Sequence, residues 1–457
     1  MVGFLATLAA AQPHPGGILM GAGHPRPTDR NFLQGHYLVD KTTGVLTTFA
    51  DTVAGPGLPF KWYFTTMDVD NRSVVVGTGG YTQDPWYSVY NVKNGVFSYD
   101  PATKKYTTLA YNVNDFQFIF GVAADQDGRW YFDAWGLPKV KWNIYRTDAG
   151  GGSYSTALTT VQLGHSLSLH YPLHRDIDSG DLLICTEGSA VTSVIENPVY
   201  TLAPGGTYGT FNWSGHGALP SMGLTQEIET GDILWQLSNQ IFRLSGGRQS
   251  KSTMITLYMA QREFAYGMIY ENQSAASPLL ITYAVQQLSN STSASLRWID
   301  PKQNYAITRT VRFINTGSFD PVPYQYRHIA HLGDRYIQTV KTGPRKWDVL
   351  FNFPTLPGMK YRVAAGLSGI RPGFRTPDNR TVWLNPGPLV YLTVNNLIPT
   401  IWNPGPLELD TRGHGRGYMN LTAIPQLGIP LHLVAMVLDS SASNGIAFIT
   451  EPYPFRL

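Results

Sequence analysis

Apolar and polar side chains alternate along most of this chain in short runs broken by Gly, Pro, Asn and Asp. A period of two over a handful of residues, closed by turn formers, predicts half-buried β-strands rather than helices. One alternating unit recurs. A strand ends in an aliphatic–aromatic run, a turn follows, and a Thr-rich strand returns. The copies begin at Gly35-His-Tyr-Leu-Val-Asp40, Val96-Phe-Ser-Tyr-Asp100, Ile144-Tyr-Arg-Thr-Asp148, Val199-Tyr-Thr-Leu-Ala203, Ile241-Phe-Arg-Leu-Ser245 and Leu296-Arg-Trp-Ile-Asp300, with a weaker one at Trp347-Asp-Val-Leu-Phe351. Between them lies a second type of hairpin, two apolar strands around an acidic or Gly turn. It spans Thr66–Val76, Val122–Phe132, His174–Ile184, Glu227–Trp235 and Ile329–Ile337.

Two hairpins make a four-stranded unit, and the units recur every ~42–60 residues, the spacing of propeller blades. A lone four-stranded sheet cannot bury both faces, whereas sheets stacked radially can. The pattern therefore predicts an all-β chain with a seven-bladed β-propeller over residues 12–360, counts of six to eight being compatible. The blades fall at 17–50, 59–112, 117–161, 166–214, 222–258, 263–314 and 325–360. From about Tyr361 the repeat stops, and short alternating strands over 361–457 predict a small C-terminal antiparallel β-sandwich.

That tail carries an ordered set of marks. Ser368, Pro372 and Gly373 form a Ser-x-x-x-Pro-Gly turn, and Asp378, Arg380, Leu384 and Asn385 follow. Then come Gly405, Leu407, Leu409 and Gly413, the pair Ile424–Pro425, and an apolar strand closing on Leu438–Asp439. In this order the tail resembles the C-terminal β-domain of exported planctomycete proteins. The resemblance covers about the last fifth of the chain. It implies export and a variable N-terminal module, often a propeller, and no catalytic residues within the domain. The propeller region resembles NHL-like and lyase-like propellers only generically.

Composition fits this picture. Only 14% of residues are charged, while Gly (46), Pro (31) and Tyr (26) abound, the reverse of a disordered chain. The net charge is +3 with Lys and Arg scattered, so there is no nucleic-acid footprint. The start, Met1 to Ala11, is apolar with small residues at Ala9 and Ala11 and reads as the end of a signal peptide, predicting a secreted, extracellular or cell-surface protein. No other segment reaches the ~20 apolar residues of a membrane span. The one cysteine, Cys185, excludes an intrachain disulfide and reads as a small buried hydrophobe.

Candidate chemistry is sparse. The acidic turns Asp68–Asn71, Asp125–Gly128 and Asp176–Gly180 invite a calcium reading, but each offers few oxygens for an ion that wants six to eight, and Asp and Gly are what a tight turn needs. His165, His170 and His174, like His328 and His331, lack a spacing that gathers a metal site on one strand. No other cofactor is implied. The best positional argument concerns the entries to each unit's first strand, which line one mouth of a propeller. Those entries carry Lys61, Asp115, Gln117, His165, Glu263, Arg327 and His328, beside Trp62, Phe116, Phe264 and Tyr326. Polar groups with aromatic walls make a ligand pocket. With no catalytic motif in a fitting context, the sequence favours a non-enzymatic extracellular binding or scaffold protein that engages a glycan, peptide or protein partner at the mouth. The alternative is a secreted lyase or hydrolase in the central pocket, with an acid–base pair such as His165 and Glu263.

Overall fold

The computed structural model describes residues 17–22, 35–51, 63–69, 75–82, 92–100, 103–111, 118–136, 141–148, 152–159, 173–185, 199–203, 208–210, 221–237, 240–244, 251–256, 263–271, 279–287, 292–313, 328–332, 336–353, 355–377, 379–442 and 444–457. Among these, the chain up to Leu332 forms six four-stranded antiparallel sheets. In the second to sixth sheets the strands lie side by side in chain order. Their first strands are Tyr63–Val69, Phe118–Ala124, Leu173–Arg175, Ser221–Gln226 and Glu263–Glu271. The first sheet differs. Its innermost strand is His328–Leu332, which pairs antiparallel with Gly17–Ala22, Met20 lying opposite Ile329. The six innermost strands neighbour one another in a closed cycle, so the sheets form a β-propeller ring.

Closure explains the fate of the segment read as a seventh repeat. The apolar stretch Ile329–Ile337 does not fold back on itself as a hairpin. His328–Leu332 completes the first sheet, while Ile337–Gly343 and Lys346–Asn352 pair with each other and then with His414–Asn420. A strand that adds to the chain's first strand buries an otherwise open sheet edge, and a local hairpin would leave that edge exposed. In strand pairing, the chain passes from ring to C-terminal unit between Leu332 and Ile337.

The Asp that closes the third strand in four of the six sheets, Asp40, Asp100, Asp148 and Asp300, has a local cause. Asp40 Oδ1 accepts the Thr42 and Thr43 amides at 2.8 and 2.7 Å. Asp100 accepts from Thr103 Oγ1 at 2.9 Å and Asp300 from the Lys302 amide at 2.8 Å. Asp148 accepts from Ser153 Oγ. Each carboxylate ties the turn into the Thr-rich return strand. Between the third and fourth sheets, chiefly aliphatic side chains fill the layer. Leu158 and Ile144 of the third sheet pack with Leu182, Ile184 and Leu202 of the fourth.

Among the described residues the C-terminal unit holds two larger antiparallel sheets around one core, and a two-stranded one of Phe374–Arg375 and Thr381–Val382. One sheet orders Ile337–Gly343, Lys346–Asn352, His414–Asn420 and Trp402–Asn403; the other orders Lys360–Gly366, Pro430–Leu438 and Ile446–Ile449, with Tyr453–Arg456 also on Pro430–Leu438. The period of two is explicit. Tyr361, Val363 and Ala365 face the shared core with Leu431, Leu433, Ala435 and Val437, while Ala364 and Val434 face the other side. That far side is covered by the helix Pro388–Val394, absent from the strand pattern, through Val390 and Val394.

Several of the tail's sequence marks have structural tasks. Asn385 Oδ1 accepts the Gly373 amide at 3.1 Å and its Nδ2 donates to Ser368 O at 2.7 Å, so it fastens the Ser-x-x-x-Pro-Gly turn. Arg380 donates to the carbonyls of Ala447 and Ile446, holding the last strands. Leu384 and Leu409 are buried. Gly405 sits at φ +73° with the Arg416 carbonyl where a Cβ would stand. Asp378 lies outside the described residues.

Candidate functional site

The seven mouth residues divide by where they fall. Lys61, Asp115, Gln117, His165 and Arg327 lie outside the described residues. Glu263 and His328 open the strands Glu263–Glu271 and His328–Leu332, two members of the innermost cycle. Only their backbone is described, so the His165–Glu263 pairing lies beyond it too. Cys185 ends the strand Leu182–Cys185.

The opposite ends of the innermost strands are described in detail, and there the acidic turns acquire a use. Three turns in consecutive sheets share one design. Asp125, Asp176 and Glu227 each close a turn through the backbone, Asp125 to Arg129, Asp176 to Asp181 and Glu227 to Asp232. Gly128, Gly180 and Gly231 supply the left-handed step at φ +80°, +76° and +78°. Asp125 Oδ1 accepts the amides of Asp127 and Arg129 at 2.8 and 3.0 Å. Asp176 Oδ1 accepts the Asp178 amide at 3.0 Å. In each case it is Oδ1 that fastens the turn. The pair Asp68–Asn71 lies largely outside the described residues, and among the described residues no three metal-ligating side chains gather.

The C-terminal unit sits on these three turns. On the third sheet, Asp127 Oδ1 accepts Trp347 Nε1 at 3.0 Å and Oδ2 accepts Lys341 Nζ at 3.3 Å. The Gln126 side chain behaves like a strand neighbour of Arg456, accepting its amide at 2.7 Å and donating to its carbonyl at 3.1 Å. Thr339, fully buried, donates from Oγ1 to Gln126 O at 2.6 Å. On the fourth sheet, Arg371 pairs with Asp178, Arg456 Nη1 with Asp181 at 2.7 Å, and Arg175 donates to Pro454 O. On the fifth, Arg371 Nε donates to Ile228 O at 2.7 Å. Ile177 and Trp383 pack into the cores on both sides of the boundary. Gln226 binds the fourth and fifth turns together, accepting the Ile177 amide at 2.8 Å and donating to Asp176 Oδ1 at 3.0 Å.

Burial shifts His432 and Asp125 at this boundary in opposite senses for pH, and raises Asp181 as it raises Asp125. His432 is 1% exposed, and its Nε2–H donates toward the carbonyls of Ile177 and Asp178 at 3.1 and 3.0 Å. Its buried Nδ1 has no hydrogen-bond partner. Burial holds the imidazole below its ordinary value of 6.5. As pH falls below 6.5, the unfolded chain takes up a proton that docked His432 refuses, so this group's contribution is lost on acidification. Burial pushes the Asp125 carboxyl above 3.8, so its ionisation costs stability as pH rises past that value. His432→Gln keeps an N–H donor but cannot titrate. Denaturation midpoints measured between about pH 5 and 7 are expected to fall more steeply with acidification in the parent than in H432Q.

No family model matches the chain, and no curated protein matches it. Solved structures do. A chain of a nidogen/laminin complex is 13% identical, with 69% of this chain and 98% of that chain covered at a TM-score of 0.45. A protein from Lactobacillus plantarum is 13% identical over 75% of this chain and 93% of its own, at 0.41. An oligogalacturonate lyase from Vibrio parahaemolyticus is 8% identical over 60% and 73%, at 0.38.

Proposed function

We propose that this protein is an exported binding or scaffold protein that uses the propeller face opposite its C-terminal unit to engage an extracellular glycan, peptide or protein partner. The observation that carries the reading is one-sided docking. The ends of the innermost strands at Asp125, Asp176 and Glu227 are covered by the C-terminal unit through Lys341, Trp347, Arg371 and Arg456. The starts of those strands point the other way. Phe118–Ala124 is seven residues long, which separates its ends by ~20 Å. Glu263 and His328 open two of the innermost strands, which supports a mouth on the face away from the docked unit.

Export is proposed from the apolar start of the chain and from the tail's resemblance to the planctomycete domain. No helix among the described residues is long and apolar enough to cross a membrane. The tail's marks hold its own turns and core, which suits a terminal module that carries the propeller rather than one that performs chemistry.

Arrays of glycans and peptides probed with the full chain test this reading. Binding is expected to weaken at least tenfold in a Lys61→Ala, Arg327→Ala, His328→Ala triple variant and to survive in Lys302→Ala, since Lys302 meets Glu229 on the docked side. Binding indifferent to the mouth residues would refute the proposal. Turnover of an arrayed glycan or ester that is lost in His165→Ala would replace it with the lyase or hydrolase alternative.

A further inference from the structure

The helix Pro388–Val394 is built the wrong way round for a surface helix. Such a helix turns an apolar stripe to the core and polar side chains to water. Here the one polar side chain, Thr393, is 3% exposed and faces in: its Oγ1 donates to Leu389 O at 2.8 Å and accepts the Ala365 amide at 2.9 Å. Leu389, Val390 and Val394 pack into the cores beneath. A turn of ~3.6 residues then brings Pro388, Tyr391 and Leu392 to the outward face. Tyr391 is 65% exposed, more than any other large hydrophobic among the described residues. A helix that is apolar all round belongs in an interior, so this face calls for a cover.

The surface around it continues the pattern. The helix closes on Asn396, at φ +54°, with the Leu397 amide on Leu392 O at 2.8 Å and the Asn396 amide on Thr393 O at 3.1 Å. That closure sets Leu397 beside Leu392, and Leu397 is still 53% exposed. At the other end of the helix, Val390 lies against Gly366 and Gly387 against Ser368. Leu367, between Gly366 and Ser368, is 40% exposed. No Asp, Glu, Lys or Arg occurs from Trp383 to Leu407, although about a quarter of residues are charged in an ordinary domain.

The missing charge says what covers the face. A lipid surface recruits a helix through Lys and Arg on its polar side, and this helix has neither. A different protein is selected by charges that complement its own, and none is offered. Around a two-fold axis each side chain meets the same patch of its twin. Any charge there is set against its like, so an uncharged patch is what pairing with itself requires. We propose that this face pairs with the same face of a second copy of the chain, giving a two-fold dimer with Tyr391 and Leu397 at its centre. The proposal does not rest on the mouth.

Sedimentation velocity of the full chain across micromolar concentrations tests it. A concentration-dependent shift from monomer to dimer is expected. Tyr391→Glu is expected to weaken association at least tenfold, because like charges set face to face oppose pairing, without moving the unfolding temperature. Leu397→Ser gives the same reading should Y391E fold poorly. Tyr418→Glu, at an exposed position of the other sheet, is expected to leave the dimer intact. A chain that stays monomeric at every concentration, or a dimer equally tight in Y391E and L397S, would overturn the proposal. So would a dimer lost in Y418E yet kept in Y391E. A monomer that sediments with phosphatidylcholine vesicles, and no longer does so in Y391E, would also overturn it and would assign the face to lipid.

Discussion

Trp347→Ala is expected to lower stability by about 3–5 kcal/mol and to loosen the C-terminal unit from the ring. Trp347 is 6% exposed, its ring meets Phe455 edge-on at 4.8 Å, and its Nε1 donates to the buried Asp127. Truncation removes an indole from the shared core and leaves one acceptor of Asp127 unmatched, so the cavity and the lost hydrogen bond act on the same contact. Trp347→Phe separates the two. It keeps most of the packing and loses only the donor, and about 1–2 kcal/mol is expected. Chemical denaturation of the three proteins checks both values. A loss under 1 kcal/mol in W347A would show that Trp347 is not seated between the units.

Gly44→Ala tests the ring itself. Gly44 sits at φ +75° in the turn between the first sheet's outer strands, and a Cβ there would stand 1.9 Å from the Arg312 carbonyl of the sixth sheet. The left-handed backbone alone costs an alanine about 1–2 kcal/mol. The contact cannot be relieved by turning a side chain, because the obstacle is backbone, so the first and sixth sheets must separate. A total of about 3 kcal/mol or more is expected. Gly152→Ala is the control: it shares the positive φ, at +88°, but nothing lies within 4 Å of its Cβ position. If the two variants lose the same stability, the first and sixth sheets are not neighbours.

The repeated hairpins were legible because their cause is local. An Asp that caps its own turn, as Asp40 and Asp300 do, leaves the same mark wherever the turn occurs. The closing strand was not legible. His328–Leu332 has the alternation of any first strand, and nothing within it says that its partner is Gly17–Ala22, some three hundred residues earlier, rather than the apolar run after it. The docking surface was hidden for a related reason. Asp127 and Asp178 look like ordinary turn acids, and their partners Trp347 and Arg371 lie in another unit. Gln126 and Gln226, which bridge backbone groups across a boundary, carry no pattern at all. The sequence signal that was available is the register of the three acidic turns, which recur at matching places in consecutive repeats.

Hydrogen exchange on the full chain, parent against W347A, tests the docked arrangement most directly. The account predicts faster exchange in the three covered turns, Asp125–Arg129, Asp176–Asp181 and Glu227–Asp232, and unchanged exchange in the uncovered turns at Asp40–Gly44 and Asp300–Tyr305. Acceleration in all five turns alike, or in none, would contradict the docking of the C-terminal unit on one face of the ring.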